Sequence, residues 1–149
     1  MNLIQFDNVI KDPEKYLDEI LKYESQDLET QEKTFGEIQQ RDDNDEFCEF
    51  VLSMFEGYEV NLNFIIDEAL NPMPLNDDSA DITCFLYLDK KFSDHDMSSG
   101  TLFFDEDENH ILKTFNNFNR MIAFDSDSVN FINRVNLVQV LFLKKIDDN

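Results

Sequence analysis

The chain has 149 residues, 42% of them hydrophobic and 15 of them Phe, which is the length of one ordinary domain with enough apolar mass for a real core. Against 12 basic residues stand 33 acidic ones, leaving a net charge of −21. A field of that sign repels nucleic-acid phosphates and anionic lipid surfaces, which excludes conventional nucleic-acid readers and membrane-surface binders and still permits a basic protein partner.

No apolar run approaches the roughly 18 residues of a spanning helix. The start, Met1-Asn2-Leu3-Ile4-Gln5, lacks the basic and apolar regions of a secretory signal, so secretion by that route is not expected. Cys48 and Cys84 have no metal or redox spacing and read as buried thiols in a reducing compartment. With only three Gly and three Pro there is little linker material, and one domain over 1–149 is expected. Within it, 1–57 reads as a mainly helical lead-in and 58–146 as a strand-built core.

Asp12-Pro13 reads as an N-cap followed by proline at the first helical position, with Tyr16, Leu17, Ile20 and Leu21 at helical spacing up to about Lys22. Glu24 to Lys33 is almost wholly polar, as a helix extension or a loop. A second helix has Asp42, Asp43, Asn44 and Asp45 as possible caps, an apolar face of Phe47, Phe50, Val51, Met54 and Phe55, and Gly57 as its stop. From Tyr58 the period changes: Tyr58, Val60, Leu62 and Phe64 alternate with polar residues, which predicts a half-buried strand. Further strands are predicted at Ile82 to Leu88, Gly100 to Phe104, Ile111 to Phe115, Arg120 to Phe124 and Val135 to Leu143. Two helices followed by a meander of short antiparallel strands describe an α+β chain, its strands forming a sandwich or barrel with the helices on one face.

The runs Ala80-Asp81-Ile82-Thr83-Cys84-Phe85-Leu86-Tyr87-Leu88-Asp89, Ser99-Gly100-Thr101-Leu102-Phe103-Phe104 and Asn119-Arg120-Met121-Ile122-Ala123-Phe124-Asp125-Ser126-Asp127 resemble the Fe(II)/2-oxoglutarate dioxygenases, above all small phage and bacterial members. Phe35-Gly36-Glu37-Ile38 and Gly57 to Phe64 resemble the lead-in strands of that group, so the likeness covers roughly residues 35–143. The resemblance implies a double-stranded β-helix (jelly roll) of antiparallel strands braced by the two N-terminal helices. It also implies an iron held by two His and one carboxylate, with open positions for oxoglutarate and oxygen.

Counted back from Thr83 by the family spacing, the His-x-Asp pair falls at Pro74 and Asn76, and the distal His at about Asn130. None of the three keeps the expected ligand: proline offers no side-chain donor, and an amide oxygen is a neutral, poorer ligand than a carboxylate. Arg134, with Asn136, is the nearest match to the oxoglutarate-binding arginine. A shift of two residues would bring in Asp77 or Asp78, but no shift supplies an imidazole, because the chain has only His95 and His110.

His95, in Asp94-His95-Asp96, could join a divalent-metal site, and its plainer reading is a polar hairpin loop. His110 reads as a solvated turn residue. The runs Asp42 to Glu46 and Asp105 to Glu108 lack the Gly and closing Glu of a calcium loop and read as caps and turns. No serine stands in a nucleophile elbow, and no carboxylate pair is localised. Phe115, Phe118 and Phe131 stand in Asn-rich surroundings, either as a partner-binding aromatic patch or as hairpin ends.

The expected function is therefore a non-catalytic dioxygenase scaffold reused for protein binding, with no cofactor. The likeness to phage members implies the cytoplasm of a host cell or a virion. Two roles fit: a homo-oligomeric or virion assembly component, and an acidic inhibitor of a basic host protein. The opposing expectation is an active hydroxylase using Fe(II) and 2-oxoglutarate through atypical ligands. Residues 1–50 carry 15 acids and 5 bases, 51–100 carry 10 and 2, and 101–149 carry 8 and 5, so the acidic surface is expected to be one-sided.

Overall fold

The computed structural model describes residues 3–21, 37–40, 45–67, 80–89, 100–104, 107, 109–115, 117–126, 130–134 and 137–146, with backbone alone at 21, 37–40, 66–67, 110–111 and 130–134. Two helices form where capping and spacing predict them. In α1 (Pro13–Leu21), the Asp12 carboxylate accepts a hydrogen bond from the Lys15 amide at 3.2 Å, and Tyr16, Leu17 and Ile20 are buried. In α2 (Glu46–Met54), Asp45 is the N-cap and accepts from the Cys48 amide at 2.9 Å, while Glu46 and Glu49 suit the positive end of the helix dipole. This helix stops at Phe55, and Gly57 follows with φ +87° to let the chain reverse into a strand.

The strands are β1 (Leu3–Asp7), β2 (Glu37–Gln40), β3 (Tyr58–Asp67), β4 (Ile82–Tyr87), β5 (Gly100–Phe104), β6 (His110–Thr114), β7 (Arg120–Asp125), β8 (Asn130–Arg134) and β9 (Leu137–Lys145). Six make one antiparallel sheet in the order β1-β7-β4-β9-β3-β2, and three make a second in the order β6-β5-β8. After β4 the chain passes to the small sheet for β5 and β6, returns for β7, crosses again for β8 and returns for β9. At the start of β5, Gly100 has φ +107°, and a Cβ there would lie 2.1 Å from the Thr114 carbonyl oxygen, so only glycine lets β5 approach β6.

Period-two alternation gives the large sheet two buried faces. One carries Ile82, Cys84, Leu86, Met121, Ala123, Leu141 and Leu143 and is covered by Tyr16, Leu17 and Ile20 of α1 and Phe47, Cys48 and Val51 of α2. The other carries Phe64, Phe85, Tyr87, Ile122, Phe124, Val138, Val140 and Phe142 and meets Phe103 of the small sheet. Because β4 lies between β7 and β9 with both faces covered, all six of its residues are buried, which explains its unbroken apolar run.

Three differences from the sequence expectation stand out. The lead-in before residue 58 contributes two strands besides its helices: β2 overlaps the stretch that resembles a lead-in strand, whereas β1 has too mixed a composition to announce itself. The strand expected over 135–143 begins at Leu137 and is preceded by a separate β8, whose polar Asn residues hide its extended backbone. His110 opens β6 rather than lying in a turn, because β6 must extend to pair with Phe104 across an irregularity in register. Among the described residues, no helix is long and apolar enough to cross a membrane.

Candidate functional site

The resemblance directs attention to the space between the two sheets. Pro74 and Asn76 lie outside the described residues, as do Asp77, Asp78, His95 and Asn136. Asn130 opens β8 in register with Phe104, which on its other side pairs with His110. The backbone thus sets His110, Phe104 and Asn130 in one row across the small sheet. Arg134 closes β8 opposite Gly100, about 13 Å along the strand from Asn130 at normal strand rise.

Aromatic rings fill the described part of that space. Phe124 stacks edge-to-face on Phe103, with centroids 5.0 Å apart, and on Phe85 at 5.4 Å, while Phe64 leans on Phe142 at 5.6 Å. Phe85 and Phe103 have no exposed surface, and Phe124 is 2% exposed. The polar exception is Tyr87, whose hydroxyl lies 2.5 Å from that of Thr101 and 2.7 Å from that of Thr114, all three buried. Burial pushes the Tyr87 phenol up to about 12, against the pull of the two threonines, so it remains a neutral tie between the sheets. Thr83 is likewise matched by Ser126 at 2.8 Å.

Fe(II) in a facial triad takes imidazole and carboxylate donors. Among the residues whose side chains are described, the inner face offers chiefly aliphatic and aromatic carbon, the Tyr87 hydroxyl bonded to those of Thr101 and Thr114, and the Thr83 and Ser126 hydroxyl pair. Among the described residues, no three His, Cys, Asp or Glu side chains come together in a way that would hold a metal.

A second polar cluster, which sequence reasoning missed, lies under the helices. Gln139 of β9 accepts from the Tyr16 hydroxyl at 2.5 Å and donates to Asp45 at 2.8 Å and Asn63 at 2.9 Å. Asn63 in turn donates to Asp45 at 3.3 Å and to the Cys48 sulfur at 3.1 Å. Burial alone would raise the Asp45 carboxyl, but the bonds it accepts from Cys48, Asn63 and Gln139 outweigh that and hold it below the usual range. Each member satisfies its neighbours, so the cluster reads as the bolt joining α1 and α2 to the sheet. Neither Cys48 nor Cys84 forms a disulfide and both thiols are buried; burial followed by the influence of Cys48 pushes Cys84 far up, which makes it inert.

A third device is Asn119, in the left-handed conformation with φ +67°. Its side chain accepts from the Ile10 amide at 2.8 Å and donates to the Ile10 carbonyl at 2.9 Å, while its amide donates to the Tyr87 carbonyl. The aromatic candidates are scattered around it. Phe115 is half-buried at the end of β6 with the Lys113 ammonium 5.2 Å from its ring centroid, Phe118 is half-buried against the helix-side core, and Phe131 lies within β8 opposite Phe103.

No protein-family model matches the chain, and no curated protein sequence matches it. Solved structures do. A prolyl-4-hydroxylase from Pseudomonas putida matches with a TM-score of 0.58 at 15% identity, over 96% of this chain and 92% of that one. A prolyl hydroxylase from Trichoplax adhaerens, solved with a hypoxia inducible factor oxygen degradation domain peptide, matches with a TM-score of 0.57 at 9% identity, over 94% and 82%. The fold is accordingly prolyl hydroxylase-like: a mostly antiparallel β structure with two helices.

Proposed function

We propose that this chain is a non-catalytic, protein-binding form of the dioxygenase scaffold, a single-domain jelly roll whose interior has become core. The observation that carries this reading is the Phe85, Phe103 and Phe124 cluster, whose packed rings occupy the described part of the space between the sheets. The repeated crossing of the chain between the sheets supports the jelly-roll reading, since such alternation wraps two antiparallel sheets around one interior. Asn130, at the head of β8, and Pro74 and Asn76 add residue types that are poor or impossible iron ligands.

In this reading Arg134, Phe115, Phe118 and Phe131 have no catalytic duty, and the chain needs neither Fe(II) nor 2-oxoglutarate. The charge of −21 favours a basic protein as partner, with charge speeding the encounter. Assembly within a virion and inhibition of a basic host protein are the settings that the sequence resemblance to phage proteins suggests. Metal analysis of the purified protein, with calorimetric titration of oxoglutarate, tests the reading. Absence of both is expected; stoichiometric iron or manganese with saturable oxoglutarate binding would overturn it in favour of an active hydroxylase.

A further inference from the structure

We propose that the outer edge of β1, with the groove beside it, receives an extended basic segment of a partner protein as an added strand. This rests on the binding role above and names the surface and the chemistry of the occupant. Among the described strands β1 ends the six-stranded sheet, and four of its five residues are exposed. Edge strands show unpaired backbone donors and acceptors and are usually guarded by charged side chains, Pro or a bulge, yet in Leu3-Ile4-Gln5-Phe6-Asp7 only the last residue is charged, and it is paired with Arg120. Ile4 and Phe6 are 41% and 42% exposed and stand opposite Ala123 and Met121, so both belong to the helix-side face. Beside them opens a groove of about 520 Å³ lined by Leu3, Ile4, Phe55, Ile82, Ala123 and Asp125 among others. Backbone pairing along β1 would supply affinity, and the groove would receive a large apolar side chain from the added strand.

Charge selects the occupant. Phe55, which lines the groove, caps the C-terminal end of α2, and the last turn of that helix carries no basic residue, so the negative end of its dipole lies at the groove. Exposed Glu56 and Asp81 are chain neighbours of the groove residues Phe55 and Ile82. Of the described cations, Arg120 is committed to Asp7 at 2.6 Å, Lys11 and Lys15 flank the start of α1, Lys113 lies over the Phe115 ring, and Lys144 and Lys145 end β9, where the Lys145 amide donates to the Asp81 carboxylate at 2.7 Å; the described residues lining the groove itself include Asp125 and no cation. A second copy pairing β1 with β1 would bring the same acids together and set −21 against −21. A segment with Lys or Arg two residues from a large apolar side chain puts both on one face of the added strand, the apolar group in the groove and the cation near the acids.

The probe is a synthetic peptide alternating Thr with Leu or Lys, the Leu residues central and the Lys flanking. Its controls carry Glu in place of Lys, or a central Pro. The lysine peptide is expected to slow amide hydrogen exchange in β1, to bind at least about tenfold more tightly than the glutamate version, and to weaken as salt is added. The proline peptide, which cannot pair along its length, is expected not to bind. Ile4→Lys, at an exposed position, is expected to lower affinity about tenfold with an unchanged melting temperature, and Glu56→Gln to flatten the salt dependence. Absence of binding, equal binding of the lysine and glutamate peptides, or binding without protection of β1 would overturn the proposal, as would self-association through β1 seen in sedimentation. Iron loading and peptide capture are read at different places, so a chain that binds iron and still protects β1 with the peptide would refute the pseudoenzyme reading alone.

Discussion

Asp45→Asn alters one atom of the polar bolt and separates its electrostatic part from its shape. The native carboxylate uses one oxygen for the Cys48 amide and the other for the Gln139 and Asn63 side-chain amides. An asparagine has a single acceptor oxygen. Turned toward Cys48, it keeps the cap and points its own NH2 at two donors; turned the other way, it satisfies the amides and loses a cap worth about 1 kcal/mol. Confronting two buried donors with a donor costs about 2–4 kcal/mol, so the asparagine takes the orientation that gives up the cap, and the variant is expected to lose about 1–2 kcal/mol at neutral pH. The carboxyl is held low in the folded protein, so the unfolded chain takes up a proton first as pH falls. Stability from Asp45 is therefore complete above the unfolded value near 4 and is lost as pH drops through the lower folded value. Urea unfolding of both proteins at neutral and acid pH is expected to show a gap in midpoint that narrows on acidification. A neutral-pH difference under about 0.5 kcal/mol, or a gap that stays constant with pH, would refute the assigned network.

Phe124→Ala removes the ring between Phe85 and Phe103 and is expected to cost about 3–5 kcal/mol in the same assay, as a core cavity does. Tyr87→Phe takes one hydrogen-bond partner from each of the buried Thr101 and Thr114 hydroxyls, and a loss of about 1–3 kcal/mol is expected with little change in the slope of unfolding. Gly100→Ala is expected to lose more than about 2 kcal/mol, since a Cβ meets the Thr114 carbonyl. Gly57→Ala, with open space around it, is expected to lose about 1 kcal/mol from its left-handed backbone alone. Arg120→Ala breaks a forked pair with half-exposed Asp7 and is expected to lower the melting temperature by an amount worth less than about 1 kcal/mol, shrinking further in high salt.

Legibility in the sequence followed the number of covered faces. β4, β5 and β7 were readable because burial forces apolar residues into short runs, and α1 and α2 because Asp12 and Asp45 precede amphipathic repeats. β1 was not, since an edge strand with exposed positions tolerates Gln5 and Asp7. The buried polar residues were invisible for another reason: Gln139 and Asn63 look like surface residues until their partners, 123 positions away for Tyr16 and Gln139 and 76 for Asn63 and Gln139, are brought beside them. The phenylalanines were expected in the core, but their division between the helix-side and inter-sheet layers depends on strand order, which no local pattern encodes.

The central place of β9 bears on how the chain folds as it is made. β9 separates β3 from β4, pairing with both along nearly their whole lengths, yet it is synthesised after either. Until it emerges from the ribosome, β3 and β4 each lack their shared neighbour, and β4 displays an apolar ribbon with one open edge. Folding of the large sheet should therefore wait for β9 and be slow, as befits pairings distant in sequence, with the incomplete chain exposed to aggregation during that interval. A chain released before Leu137 would hold most of its hydrophobic residues and still lack the strand that pairs its two halves.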